Sequence, residues 1–533
     1  MTFATPPAPE LDETGQQRMV QALQAWLQHD CGAPVQQVQT HLSQLLLTPA
    51  HAYKIKKAIA LPFADFRSLQ SRRHFCQEEL RLNRRLAPQL YLDVMPVLGS
   101  ESAPRLGDPD PDARADSAQA IDWVLRMRRF ASDVEAAALL RANRLDGALV
   151  EDFGGAIAHF HAGVPAAAAG SRLGSAAQVR QAVDDVFATL QPLLLPAEQD
   201  WLQRLRAPFQ NQAPLWERRQ AQGHVREGHG DLHLGNVVQW QGALTAFDCI
   251  EFSDALRWTD TLADIGFFTM DLHAHGRADL AWRCLDAYLT VSGDYDGLAV
   301  LRPYEIYRAL VRLMTQRLRT QQQAGQGAAA PVGPDYLACA RQLAQPQRPC
   351  LLLMHGLSGS GKSSVAAALL AALGAVRLRS DVERKRLHGL QALDDSAAHG
   401  LDIYTAQDSE RTFDRLLQLS RALLQAGYPV IVDAAFLRRG ERQRFLALAR
   451  ELGQPHAIVH CRADLNVLRA RVAQRRAQGR DASEADLQVL EQQLRRAEPL
   501  TPDERALAIT VDTAQPLDVQ ALRSRCEALH AAQ

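Results

Sequence analysis

The chain lacks the features that mark several broad classes of protein. No apolar run approaches the roughly 20 residues needed by a membrane-spanning helix. The opening Met-Thr-Phe-Ala-Thr-Pro-Pro-Ala-Pro-Glu has neither a basic stretch nor an apolar one, so no secretory leader is expected. Eight cysteines (Cys31, Cys76, Cys249, Cys284, Cys339, Cys350, Cys461, Cys526) are scattered, without a Cys-x-x-Cys pair. That argues against a disulfide framework or a cysteine zinc site, and predicts reduced thiols in a cytoplasmic protein. A formal net charge of −1 supplies no global pull toward nucleic acid or anionic membrane. Aromatic residues are only 6% of the chain, and none are interleaved with a basic stretch as strand-tracking surfaces require. Repeated modules are missing as well, which disfavours a solenoid or an ATP-driven motor. What remains is an ordinary globular composition over 533 residues, too many for one core, so two or more domains are expected.

The segment that is present and specific is His-Gly-Leu-Ser-Gly-Ser-Gly-Lys-Ser-Ser at 355–364. It follows Cys-Leu-Leu-Leu-Met and precedes an Ala/Leu-rich stretch, so a buried strand, a glycine loop and a helix are predicted in that order. Gly356-x4-Gly361-Lys362-Ser363 is the phosphate-loop pattern in its expected context. Glycines let consecutive N–H groups curl around a triphosphate, and the helix N-terminus adds partial positive charge. Gly356, Ser358, Gly359, Ser360, Gly361, Lys362, Ser363 and Ser364 are therefore candidate ATP contacts. Lys362 reaches the β- and γ-phosphates in this scheme, and the Ser363 hydroxyl binds Mg²⁺.

In the first part of the chain, apolar spacing predicts an amphipathic helix over 16–28. Strands are expected at 38–47, 51–59, 91–99 and 121–130, with a helix over 72–86 and a long polar loop at 101–118. Helices follow from 132. The pattern is an antiparallel-sheet small lobe followed by a helical large lobe. Its chemistry lies in His-Gly-Asp-Leu-His-Leu-Gly-Asn at 229–236, followed by a strand ending at Asp248. In kinase-type transfer one Asp accepts the acceptor hydroxyl's proton, while an Asn and a second Asp hold Mg²⁺ on the ATP phosphates. Asp231 fits the base, and Asn236 and Asp248 fit the metal ligands. His161 and His233 are read as structural.

These residues, with Phe-Asp-Cys-Ile-Glu at 247–251 and Leu-Ala-Asp-Ile at 262–265, resemble the aminoglycoside phosphotransferase-like branch of the protein-kinase fold over about 38–320. The resemblance implies an ATP-positioning lysine in Ala-Tyr-Lys-Ile-Lys-Lys at 52–57. Lys54 matches the spacing best and Lys56 is the alternative. It also implies a partner glutamate, Glu79 or Glu78. Asp264 is expected either to brace the catalytic loop or to cap a helix. No kinase-type glycine-rich loop is found at 37–52, and the acceptor does not follow from the resemblance.

A Gln/Ala/Gly-rich connection at 321–344 separates domain 1–344 (small lobe about 30–130, large lobe about 131–320) from domain 345–533. Strand–helix alternation in the latter predicts a parallel sheet with helices on both faces. Asp381, after a strand at 375–378, is a candidate base, with Arg384 clamping substrate or phosphate. Asp433, ending a strand at 428–433, is a candidate Mg²⁺ partner. Arg471 and Arg475, one helical turn apart beside Gly-Arg-Asp-Ala-Ser at 479–483, are lid candidates. Residues 350–510 resemble the small phosphate-loop kinases. The whole chain resembles a bacterial two-domain family that fuses a phosphotransferase-like domain to an ATP-binding domain. The fold class expected is an α+β bilobal kinase-like domain followed by an α/β phosphate-loop domain. The function expected is ATP- and Mg²⁺-dependent transfer to hydroxyl-bearing small molecules at two sites. Two alternatives stand beside it: a regulatory first domain, or a second domain acting on nucleic-acid 5′-hydroxyls through clusters at 377–386 and 438–444.

Overall fold

The computed structural model describes residues 11–61, 64–109, 119–324, 333–478 and 481–531. They fall into two compact units whose membership does not follow chain order. One comprises Met1–Leu145, Gly163–Val179 and Glu217–Asp264; the other comprises Asp146–Ala162, Arg180–Trp216 and Ile265–Gln533.

The first unit is built on a six-stranded antiparallel sheet. In spatial order its strands are Gln36–Gln39, Ser43–Leu47, His51–Lys56, Asp122–Arg128, Tyr91–Ser100 and Ala103–Leu106. Helix Glu13–Cys31 covers one face: Met19, Val20, Leu23 and Leu27 pack on Leu46, Tyr53, Ile55, Val97 and Val124. Side chains alternate across a strand, so Ala52 faces the other layer, where Cys76 of helix Leu69–Asn83 joins Leu90, Trp123 and Leu125. A buried polar knot ties the layers together. Gln16 donates to Lys56 O at 2.8 Å and to Asp122 Oδ2 at 2.7 Å, and Asp122 accepts from Arg72 Nε at 2.7 Å.

The expected single strand at 38–47 is two strands and a turn. Thr40 Oγ1 exchanges hydrogen bonds with Ser43 across that turn, a closure that needs neither Gly nor Pro. The strand expected over 51–59 ends at Lys56. The helix expected over 16–28 runs from its Asp12 cap to Gly32, which takes the left-handed conformation. The loop expected at 101–118 contains the strand Ala103–Leu106, and its 110–118 portion lies outside the described residues. Two short ladders, Val237–Trp240 with Ala243–Ala246 and Val225–Glu227 with Trp258–Asp260, frame the 229–236 loop.

The second unit carries a five-stranded parallel sheet ordered Val376–Arg379, Val430–Asp433, Leu351–His355, His456–Arg462, Ala508–Asp512. Leu351 to Met354 are fully buried, as a strand covered on both faces must be. Non-sequential strand order brings the carboxyl ends of Leu351–His355 and Val430–Asp433 together, the usual place for a ligand crevice in such sheets. The same unit contains helices Gly147–Gly163, Ala278–Ser292, Leu298–Ala324 and Tyr336–Leu343. The helix expected to stop at 320 runs on to Ala324, and 325–332 lie outside the described residues. The chain thus joins an α+β protein-kinase-like fold to an α/β phosphate-loop fold. No helix among the described residues is long and apolar enough to cross a membrane.

Candidate functional site

Two polar constellations stand out, one in each unit. In the first, alternation along His51–Lys56 puts Lys54 and Lys56 on one face of the strand, opposite Tyr53 and Ile55. Both lysines meet Glu79, buried on helix Leu69–Asn83. Lys54 Nζ lies 2.7 Å from Glu79 Oε1 and 2.5 Å from Asp248 Oδ1, and Lys56 pairs with Glu79 and Glu251. Glu78 instead pairs with Arg81, one turn along the helix. Of the two glutamates left open by the sequence, Glu79 is the one that reaches the lysines. Burial works against the Lys54 charge, but Asp248 and Glu79 hold its pKa well above the ordinary value. Burial likewise raises Asp248, and the Lys54 ammonium more than offsets it, so Asp248 titrates low.

Asp248 adopts φ +61°, a left-handed conformation that costs a side chain about 1–3 kcal/mol. Its N–H donates to the Tyr91 hydroxyl at 3.0 Å, and the next residue's N–H donates to Asn83 Oδ1 at 2.9 Å. These two bonds hold the turn. The 229–236 loop is anchored by Asp264, which accepts from His229 N at 2.7 Å and Gly230 N at 2.9 Å. Of the two roles expected for Asp264, the geometry is that of the brace. Burial lowers the His229 pKa and keeps it neutral; its Nε2 lies 2.9 Å from Phe247 O, while Nδ1 accepts from Asp231 N at 3.3 Å.

Asn236 Nδ2 donates to Asp231 O and Oδ2, both at 2.9 Å, which leaves its Oδ1 to face elsewhere. His233, read from sequence as structural, has Nδ1 accepting from Gly235 N at 3.0 Å and Nε2 3.5 Å from Asp231 Oδ2. It touches the proposed base. His161 instead contacts Tyr288 at 3.0 Å. Asn236 Oδ1 and the Asp248 carboxylate are hard oxygen donors, half of Asp248's side chain being open to solvent, a set that fits Mg²⁺ completed by phosphate and water.

In the second unit the glycine loop is sterically compulsory. A Cβ on Gly356, at φ +145°, would lie 2.4 Å from Cys461 O, and one on Gly359, at φ +81°, would lie 2.6 Å from Leu468 O. Lys362 opens helix Lys362–Leu373 and donates to Leu357 O at 2.8 Å, with burial lowering its pKa. A cleft of about 270 Å³ is lined by Ser358, Lys362, Ser363, Asp381, Arg384, Asp433 and Arg475, among others. Asp381 follows strand Val376–Arg379, in the first turn of helix Ser380–Leu387, and lines this cleft.

Several polar atoms here are buried without a hydrogen-bond partner: Asp433 Oδ2, which lies 4.0 Å from Arg379 Nε in a long ion pair, Arg384 Nε, Arg475 Nε and, in the loop itself, Ser360 Oγ. Unmade bonds of this kind are costly and mark a place built for something else. Asp433 Oδ2 beside Ser363 suits a hydrated Mg²⁺. Among the described residues, no three His, Cys, Asp or Glu side chains gather as a metal cage, so such an ion would draw most of its ligands from phosphate and water.

The two lid candidates diverge. Arg475 lines the cleft and donates to Ala485 O at 2.9 Å. Arg471, which is not among the cleft-lining residues, donates to Thr513 Oγ1 at 2.9 Å, to Thr513 O at 2.7 Å and to the loop's own Gly359 O at 3.4 Å. Residues 479–480 of the adjoining segment lie outside the described residues. Ser364 is exposed and away from the cleft lining. Gln493 was not foreseen: its Oε1 accepts from the loop's Ser358 N–H at 2.8 Å, from a helix whose sequence shows only an apolar stripe.

The two basic clusters divide: Arg379, Arg384 and Arg438 line the cleft, and five other members are held in ion pairs. Arg377 pairs with Asp286, Lys385 with Glu484, Arg386 with Glu383, Arg442 with Glu504 and Arg444 with Asp414.

Residues 351–500 match the family model described as an AAA domain. An uncharacterized protein of Mycobacterium tuberculosis is 27% identical over 465 residues, covering 84% of this chain and 87% of that protein. Among solved structures, a choline/ethanolamine kinase family protein from Mesorhizobium loti is similar over 62% of this chain and 92% of that one, at 15% identity and a TM-score of 0.36. A gluconokinase from Sinorhizobium meliloti 1021 is similar over 35% of this chain and 94% of that one, at 23% identity and a TM-score of 0.26.

Proposed function

We propose that the protein is an ATP-dependent phosphotransferase with two Mg-ATP sites, each moving the γ-phosphate to a hydroxyl of a small molecule. The observation that carries this reading is the cleft in which Lys362, Ser363, Asp381 and Asp433, whose Oδ2 has no hydrogen bond, converge beside a loop that only glycines can form. Phosphoryl transfer asks a protein for positioning and charge neutralisation more than for covalent chemistry.

In the second unit the loop N–H groups and Lys362 bind the phosphates, Ser363 and Asp433 hold the metal side, and Asp381 takes the acceptor proton. Arg384, with its unused Nε, and Arg475 bind the acceptor and the transferring group. In the first unit Lys54, oriented by Glu79, binds phosphate oxygens, and Asn236 and Asp248 hold the metal side. Asp231 accepts the acceptor's proton, oriented by Asn236 and His233. Bound Mg²⁺ neutralises charge that develops on the phosphate oxygens. Ion pairs on Arg377, Lys385 and Arg442 take these three out of any strand-tracking surface, which supports small acceptors over a nucleic-acid strand.

The test uses γ-labelled ATP and a bacterial extract containing small molecules and oligonucleotides. Intact protein is compared with Asp231→Asn and Lys362→Ala. Two sets of labelled products are expected, a different set vanishing in each variant. If only Lys362→Ala abolishes transfer, the first site transfers nothing and serves as a regulatory nucleotide-binding domain. Labelled oligonucleotides, in place of small molecules, would identify the second site as a 5′-hydroxyl kinase.

A further inference from the structure

Helix Ala278–Ser292 precedes the phosphate-loop segment by some distance in the chain, yet it lies within the same compact unit and packs on helix Lys362–Leu373. Its Asp286 makes a two-point pair with Arg377: Nε to Oδ1 at 3.2 Å and Nη2 to Oδ2 at 2.5 Å. The pair is well buried, with the two side chains 11% and 13% exposed. The remaining arm of the same guanidinium, Nη1, donates to the carbonyl of Ser363 at 3.2 Å. A guanidinium is a rigid planar fork, so fixing two of its arms on a carboxylate fixes where the third points. That third arm points at the backbone of the residue whose hydroxyl is assigned to the metal side.

The surrounding contacts are specific. Gly374, at φ +65°, ends the phosphate-loop helix directly against Trp282; a Cβ there would lie 2.9 Å from the indole Nε1. The Tyr428 hydroxyl donates to Leu298 O at 2.9 Å, with the Arg302 guanidinium 4.2 Å from its ring centroid. Arg386 donates to Thr290 O at 2.6 Å. A buried pair used only to join helix Ala278–Ser292 to strand Val376–Arg379 has no need of a third bond to the backbone in the first turn of the phosphate-loop helix.

We propose that Arg377 is a positioning residue of the phosphate-loop site, set by Asp286, so that the metal side of the loop is held from helix Ala278–Ser292. The proposal rests on the reading of Ser363 as a Mg-nucleotide residue. It makes the phosphate-loop site dependent on a helix from the kinase-like part of the chain, and gives that part a physical handle on the second reaction.

The test measures binding of a fluorescent ADP analogue to the full-length protein, with Mg²⁺ and again with EDTA. An Asp248→Asn background is used so that the first site adds no magnesium dependence. The readout is the factor by which Mg²⁺ tightens binding, together with the melting temperature. Asp286→Asn and Arg377→Lys are expected to reduce that factor about tenfold while metal-free affinity stays within about twofold, as loss of one charged hydrogen bond would do. Asp286→Glu is expected to keep most of it. An unchanged factor, or equal loss with and without Mg²⁺, means the pair is structural only and overturns the proposal. Should Asp286→Asn fail to fold, Arg377→Lys decides, because it keeps the charge pair and removes the arm to Ser363. If the parent protein binds no nucleotide, the Ser363 reading and this inference fall together.

Discussion

The two candidate sites handle charge in opposite ways. Around Lys54 every strong charge has a partner: two lysines share Glu79 and are each held by a second carboxylate, Asp248 or Glu251. Around Lys362 the polar groups are left short of hydrogen bonds: Asp433 Oδ2, Arg384 Nε and Arg475 Nε are buried without one, and Asp433 has a long 4.0 Å ion pair with Arg379. A closed network helps hold its unit together, so removing one member strands the others in a medium of low polarity. An open set contributes little to folding and stands ready for a ligand, a familiar trade of stability for function. The first site is therefore welded into its fold, and the second is suspended from it.

The largest effect separating the two should come from Glu79→Ala. It leaves Lys54 and Lys56 with one carboxylate fewer each, at 0% exposure of the lost side chain, and should cost about 3–5 kcal/mol in urea denaturation of the first unit. Preservation of stability would mean the network is not closed.

Next comes a pH effect outside both sites. Burial pushes the Glu305 carboxyl up to about 7, well above its usual 4.5. Because the folded value is the higher one, its contribution is fully present below about pH 4.5, declines as pH rises, and is gone once pH has passed about 7. A loss of about 3 kcal/mol is expected across that window in chemical denaturation, and Glu305→Gln should flatten it. Glu305 accepts from Thr269 Oγ1 at 2.7 Å, and burial outweighs that bond and the pull of Arg302 and pushes it toward its neutral form, whereas Asp248 beside Lys54 is held in its charged form.

A smaller effect is expected for Asp433→Asn. Removing the charge of a carboxylate whose Oδ2 makes no hydrogen bond and only a long ion pair with Arg379 should change stability by no more than about 1 kcal/mol, in either direction, while weakening Mg²⁺-dependent nucleotide binding. A large loss of stability would show that the second site is as closed as the first.

What the sequence disclosed, and what it hid, follows the same division. The phosphate loop is written in ten consecutive residues, and its glycines are dictated by collisions such as that of Gly359 with Leu468 O. The loop at 229–236 was legible for the same reason: spacing within a short segment. The Lys54–Glu79–Asp248 cluster spans 25 and 194 residues of separation, so the family resemblance narrowed the lysine and the glutamate only to two candidates each. Tyr91, Asn83, Gln493 and Asp286 carry no local mark at all; each acts through a single long-range hydrogen bond or ion pair. The fold class was readable from element order. The hairpin at 36–47 was not, because its turn is closed by a Thr side chain instead of Gly or Pro.

The proposed arrangement is two nucleotide sites in one chain. Its most direct test is the stoichiometry of a non-hydrolysable Mg-ATP analogue, measured by equilibrium titration of the full-length protein and of the Lys362→Ala and Asp248→Asn variants. Two equivalents per chain are predicted for the intact protein, falling to one in each variant and to none in the double variant. A single equivalent in the intact protein, abolished by one substitution and untouched by the other, would contradict it.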